Sequence, residues 1–79
     1  MDRNDILKKV SAILRDIFDD ESLEINENTA ASDVEGWDSL NQINILLACE
    51  QEFGIKFVIE EVAGLSTVGD LVALIISKV

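Results

Sequence analysis

The chain has 79 residues, 48% of them hydrophobic, which argues against disorder and predicts a single small domain over residues 1–79. Sixteen acidic and six basic residues give a net charge of −10, so nucleic acid is excluded as a partner and proteins with basic or polar patches are favoured. There is no histidine, which excludes a Ser-His or Cys-His nucleophile pair.

The cysteine content and the first residues point to a reducing compartment. Cys49 is the only cysteine, so an internal disulfide cannot form, and we expect it to pack in the core. Residues 2–5 are polar or charged, unlike a secretory signal, and no apolar run reaches the roughly 20 residues of a membrane span. We therefore expect a cytoplasmic monomer that does not insert into membranes.

The first half of the chain is predicted to contain one helix and a long connection. Apolar residues recur with helical spacing over residues 3–18. Their stripe consists of Ile6, Val10, Ile13, Leu14 and Ile17. Residues 19–37 are acidic and irregular, and this stretch is longer than most helix–helix connections. Leu23 and Ile25 are expected to hold it against the core.

Three further helices are predicted in the second half. The next helix covers residues 39–53 and ends at Gly54, since glycine readily adopts the left-handed conformation of a C-cap. Its buried stripe is predicted to be Leu40, Ile43, Leu46, Leu47, Glu50 and Phe53. A short helix follows around residues 59–63. The last begins after Thr67, which with Asp70 predicts a capping box. The fold class is an all-α bundle of three main helices and one short one.

Residues 36–40, Gly-Trp-Asp-Ser-Leu, place a serine at the start of the second main helix. Ser39 is suited to the N-cap, and Gln42 would complete a capping box. Asp38 is an equally good cap, because its carboxylate suits the positive end of the helix dipole. If Asp38 is the cap, the serine hydroxyl is left open to modification. The spacing alone leaves both interpretations open.

Ordered matches along the chain resemble the acyl carrier protein family. Glu-Gln-Glu-Phe-Gly-Ile at residues 50–55 begins fourteen residues after Gly36. Glu-Glu-Val at residues 60–62 and Thr-Val-Gly-Asp-Leu at residues 67–71 follow in order. An Asp-Ser-Leu tripeptide alone is common, whereas the ordered set together with the small size and the acidity is specific.

The resemblance implies a carrier that is not itself an enzyme. A separate phosphopantetheinyl transferase, using coenzyme A and magnesium, would attach 4′-phosphopantetheine to Ser39, and the thiol of that arm would hold acyl groups as thioesters. Asp38 matches the acid that assists the transferase, and Leu40 matches an apolar residue that partner enzymes contact. Docking of the transferase and of acyl-loading and acyl-transferring enzymes is expected at Trp37, Leu40, Asn44, Glu50, Glu60 and Glu61.

Members of this family partly shelter the acyl chain between their helices. Here the expected lining is Ile43, Leu46, Leu47, Ile59, Val62, Leu71 and Ile75. Ordinary core packing would use the same residues, so the two interpretations stay open at this point. No metal site is expected, because the acids of residues 16–21 do not follow the EF-hand spacing.

The second main helix departs from the pattern of fatty-acid carriers, in which it is acidic. Four of its positions are the neutral residues Asn41, Gln42, Asn44 and Gln51. We therefore expect a specialised carrier in fatty-acid, lipid or secondary-metabolite synthesis. One alternative is a carrier of aminoacyl, D-alanyl or peptidyl groups. The other is an unmodified acidic interaction module in which Ser39 is only a cap.

Overall fold

A computed structural model describes residues 2–79 as a helical bundle, which confirms the predicted fold class. In that range it contains α1 (Arg3–Ile17), α2 (Ser39–Phe53), α3 (Ile59–Val62) and α4 (Val68–Lys78). The predicted bounds of α2 are those observed, and α1 and α3 each end one residue earlier than predicted. A short 3-10 helix at Ala31–Asp33, which the sequence pattern did not predict, interrupts the long connection. None of the helices within residues 2–79 has the length and apolar character of a membrane span.

The core lies where α1 packs against α2 and α4. Its buried side chains come from all three long helices and are Ile6, Val10, Leu14, Ile45, Cys49, Val68, Leu71, Val72 and Ile75. The predicted stripe of α1 is therefore confirmed at Ile6, Val10 and Leu14, and Ile13 and Ile17 are half-buried against the core. The expected core position of Cys49 is also confirmed.

The prediction for the buried side of α2 is wrong at three positions. Leu40, Ile43 and Leu47 are 67%, 54% and 51% exposed, and Ile45 and Cys49 are buried in their place. The physical reason is that α2 is apolar on two sides, so its periodicity does not say which side faces inward. The packing of α2 against α1 determines which side is buried.

The long connection is fastened to the N-terminus of α4 through its backbone. The N–H of Val68 donates to the carbonyl oxygen of Thr29, and the N–H of Gly69 donates to that of Glu27, each at 2.8 Å. Both N–H groups belong to the first turn of a helix, where no intrahelical acceptor exists. The same contacts thus complete the helix and locate the connection.

Two arginine side chains of α1 also hold the first half of the connection. Arg3 of α1 forms an ion pair with Glu27. Nε of Arg15 donates to the carbonyl oxygen of Leu23 at 2.8 Å. Leu23 and Ile25 are half-buried against the core, as expected. The connection is therefore a packed part of the bundle despite its irregular backbone.

The predicted capping box at the start of α4 is confirmed. The hydroxyl of Thr67 accepts from the N–H of Asp70 at 3.2 Å, and the carboxylate of Asp70 accepts from the N–H of Thr67 at the same distance. The third free N–H of this helix start is thereby satisfied.

The close approach of the connection to α4 is predicted to require a glycine at position 69. A Cβ at this position would lie 2.7 Å from the carbonyl oxygen of Glu27, so Gly69→Ala must push the connection away from α4. We expect a loss of about 1–3 kcal/mol in the free energy of unfolding, measured by urea denaturation, although alanine has the higher helix propensity. Gly64→Ala is the control, because nothing lies within 4 Å of its Cβ position. Equal stability of the two variants would contradict the prediction.

Candidate functional site

Asp38, and not Ser39, is the N-cap of α2. Oδ1 of Asp38 accepts from the N–H of Asn41 at 2.9 Å, and Ser39 is the first residue of the helix. The predicted capping box with Gln42 does not form, because Oε1 of Gln42 accepts instead from Nε1 of Trp37 at 2.7 Å. The interpretation of Ser39 as the cap is therefore wrong. Its side chain is exposed and makes no hydrogen bond with any of residues 2–79.

The turn that precedes Ser39 is held from both sides. Nδ2 of Asn41 donates to the carbonyl oxygen of Gly36 at 2.8 Å. The ring of Trp37 is half-buried, and its centroid lies 5.8 Å from that of Phe18 at the end of α1. Trp37 thus closes the connection onto the bundle, and its expected contact with partner enzymes stays a prediction. Together these contacts give the serine a defined position.

An open groove of about 560 Å³ runs beside the serine. Its lining residues are Ala31, Trp37, Asp38, Ser39, Gln42, Ile43 and Leu65. A small cavity of about 40 Å³ shares Ala31, Trp37, Gln42 and Leu65 with it and reaches Val68 and Leu71 of α4. Sequence reasoning did not place Ala31 or Leu65 at the site. Only tertiary contacts join the connection, α2 and the segment before α4, so no local pattern could have identified them.

The seven residues expected to line an acyl pocket are distributed over three environments. Leu71 and Ile75 are buried in the core, and Leu46 and Val62 are half-buried. Ile43, Leu47 and Ile59 are exposed, Ile59 by 82%. Of the set, Ile43 lines the groove beside Ser39 and Leu71 lines the small cavity.

Some of the expected docking residues form hydrogen bonds or ion pairs within the protein, and others are exposed. Oε2 of Glu50 accepts from the N–H of Phe57 at 2.8 Å. Glu61 pairs with Lys78 at 2.8 Å and also accepts from the N–H of Val58. Both hydrogen bonds lower the pKa of its carboxyl group, and the bond with Lys78 has the larger effect. Leu40, Asn44 and Glu60 are exposed. The roles of all these residues in docking stay predictions.

Comparisons with known proteins agree with this architecture. The profile of a family described as a phosphopantetheine attachment site matches residues 8–75. The acyl carrier protein of Thermosynechococcus vestitus is 36% identical, and the alignment covers 100% of this chain and 98% of that protein. The meromycolate extension acyl carrier protein of Mycobacterium tuberculosis is 33% identical, with 92% of this chain and 64% of that protein covered.

A solved structure shares the fold. The solution structure of a holo acyl carrier protein from Geobacter metallireducens superposes with a TM-score of 0.86 at 37% sequence identity. The match covers 92% of this chain and 84% of that one. On the profile, the relatives and the shared fold together, this chain belongs to the phosphopantetheine-attachment family that includes the acyl carrier proteins.

Proposed function

We propose that this protein carries acyl groups as thioesters on a 4′-phosphopantetheine arm attached to Ser39, and that it presents them to partner enzymes. The observation that carries this proposal is the exposed hydroxyl of Ser39 at the first position of α2, where Asp38 has taken over the capping role. The names of the relatives, among them a carrier for meromycolate extension, support fatty-acid or lipid synthesis over aminoacyl cargo.

The residues around Ser39 suit such an arm. The hydroxyl oxygen is exposed, an aspartate precedes it, and an open groove lies beside it. The arm supplies a terminal thiol, which is the group that holds the cargo. The protein supplies a fixed attachment point, because the hydrogen bonds of Trp37 with Gln42 and of Asn41 with Gly36 define the turn. A flexible arm on a small rigid domain raises the local concentration of its cargo at each docked enzyme.

The protein's own cysteine does not compete with the thiol of the arm. Burial, with a smaller contribution from the negative charge of Glu52, raises the pKa of the Cys49 thiol to about 12. A thiolate, and not a thiol, is the nucleophile in thioester exchange. Cys49 therefore stays protonated near neutral pH and does not take acyl groups from the arm.

We also propose that the protein shelters the acyl chain between its helices. We propose that the chain enters through the groove beside Ser39, past Trp37, Gln42 and Leu65, toward Leu71. The half-buried Leu46 and Val62 and the core residue Ile75 are further members of the expected lining that are shielded from solvent. Ile43 lies at the mouth of the groove.

The proposed attachment site is tested by mass spectrometry. Wild type, Ser39→Ala and Ser32→Ala are incubated with coenzyme A, magnesium and a broad-specificity phosphopantetheinyl transferase. We expect one added phosphopantetheine on the wild type and on Ser32→Ala, whose serine is also exposed, and none on Ser39→Ala. Because Asp38 is the cap, Ser39→Ala should change the free energy of unfolding by less than about 0.5 kcal/mol. If folded Ser39→Ala is still modified, the attachment site is a residue other than Ser39.

Asp38 is predicted to have two separable roles. Asparagine caps helices as well as aspartate does, so Asp38→Asn should keep the stability of the wild type, whereas Asp38→Ala should lose about 1 kcal/mol. If the carboxylate also assists the transferase, modification of Asp38→Asn should be slower by tenfold or more. The measurements are urea denaturation and the initial rate of phosphopantetheine transfer. A wild-type rate for Asp38→Asn would limit Asp38 to capping.

Thiol counting tests the inertness of Cys49. At about pH 8 with an aromatic disulfide reagent, folded unmodified protein should show no reactive thiol and folded modified protein one, because only the arm's thiol is accessible. In denaturant, each form should show one more. Rapid reaction of Cys49 in the folded, unmodified protein would contradict the predicted burial.

A further inference from the structure

The exposed side of α2 carries a row of side chains without charge. We call this row the α2 stripe; its members are Ser39, Leu40, Ile43, Asn44, Leu47 and Gln51. Residues spaced three and four apart lie on one side of a helix, and all six are exposed. At 1.5 Å per residue the stripe is about 18 Å long, and it begins at the serine.

The stripe itself carries no charge. No residue from Ser39 to Cys49 is charged, although the chain as a whole has a net charge of −10. The two acids of α2 have internal partners: Glu50 accepts from the N–H of Phe57 at 2.8 Å, and Glu52 pairs with Lys9 of α1 at 3.2 Å. The acidic residues of α2 therefore lie outside the stripe and are already paired within the protein.

These features indicate what kind of partner surface can bind to the stripe. Burying it removes three large apolar side chains from water, and no member of the stripe carries a charge that would have to be desolvated. The side-chain amides of Asn44 and Gln51 would need hydrogen-bonding groups opposite them. A second copy of this chain is disfavoured, because two molecules of net charge −10 repel each other.

The position of the stripe identifies the class of partner. Leu40 directly follows Ser39, and Ile43 lines the groove beside it. An enzyme that reaches the hydroxyl of Ser39 has to cover these neighbours. We propose that the enzyme that modifies Ser39 docks on the α2 stripe through an uncharged face of apolar and hydrogen-bonding groups, and not through a basic patch. This rests on the proposed modification of Ser39, and it makes Ile43 and Leu47 docking residues.

The test is the rate at which a broad-specificity transferase modifies stripe variants, with coenzyme A and magnesium saturating. Ile43→Ser should lower kcat/KM about tenfold, a change of about 1.4 kcal/mol, mainly through KM. Ile76→Ser on α4 is the matched control and should behave as wild type, since Ile76 is a 36% exposed isoleucine on another helix. Melting temperatures establish that both variants are folded.

A charge placed on the stripe distinguishes the two modes of docking. Asn44→Asp should slow modification, because an uncharged partner face would have to desolvate the new carboxylate. A basic partner patch would instead make Asn44→Asp faster at low salt. For the wild type, kcat/KM should change less than about twofold between about 50 and 500 mM NaCl, a range over which screening removes most long-range attraction.

The outcomes separate this proposal from the one on which it rests. No modification of folded wild type at any salt concentration would contradict the attachment site itself. Normal modification together with a wild-type rate for Ile43→Ser, a faster Asn44→Asp, or a steep loss of rate with salt would overturn only the docking proposal.

Discussion

The attachment of the long connection to the start of α4 is the constraint on which the rest of the structure depends. A helix start leaves N–H groups that need acceptors, and the carbonyl oxygens of Thr29 and Glu27 supply two of them to Val68 and Gly69. Unsatisfied, these groups would be costly to bury. The same bonds restrict residues that have little regular structure of their own. A local requirement of one helix thus organises a segment far away in the sequence.

This attachment explains how an irregular segment can present a serine in a defined position. The connection is anchored at Thr29, turns through the 3-10 helix and is closed by Trp37 against Phe18. It therefore reaches α2 from a fixed direction. The carboxylate of Asp38 then accepts from the N–H of Asn41 in the first turn of α2, so the hydroxyl of Ser39 is not needed for capping. Because Asp38 caps the helix, the hydroxyl of Ser39 is left exposed for the proposed modification.

The two apolar sides of α2 serve different purposes. Ile45 and Cys49 lie in the core shared with α1 and α4, and this burial raises the pKa of the Cys49 thiol. Leu40 and Ile43 remain exposed on the other side, next to the serine. Clustered apolar side chains that remain exposed are typical of contact surfaces. The exposed side of α2 is therefore the side on which the proposed docking would take place.

The sequence by itself determined the elements of this protein. Helical periodicity, Gly54 at the end of α2 and the capping box of Thr67 with Asp70 are local features, so the helix bounds and the position of Ser39 could be predicted closely. The tertiary structure determined that Asp38 is the cap and Ser39 is not, and it determined which side of α2 is buried. It also placed Leu65 at the groove. These outcomes depend on which surfaces compete for the same helix and on contacts between distant residues. Periodicity within one segment carries no information about either.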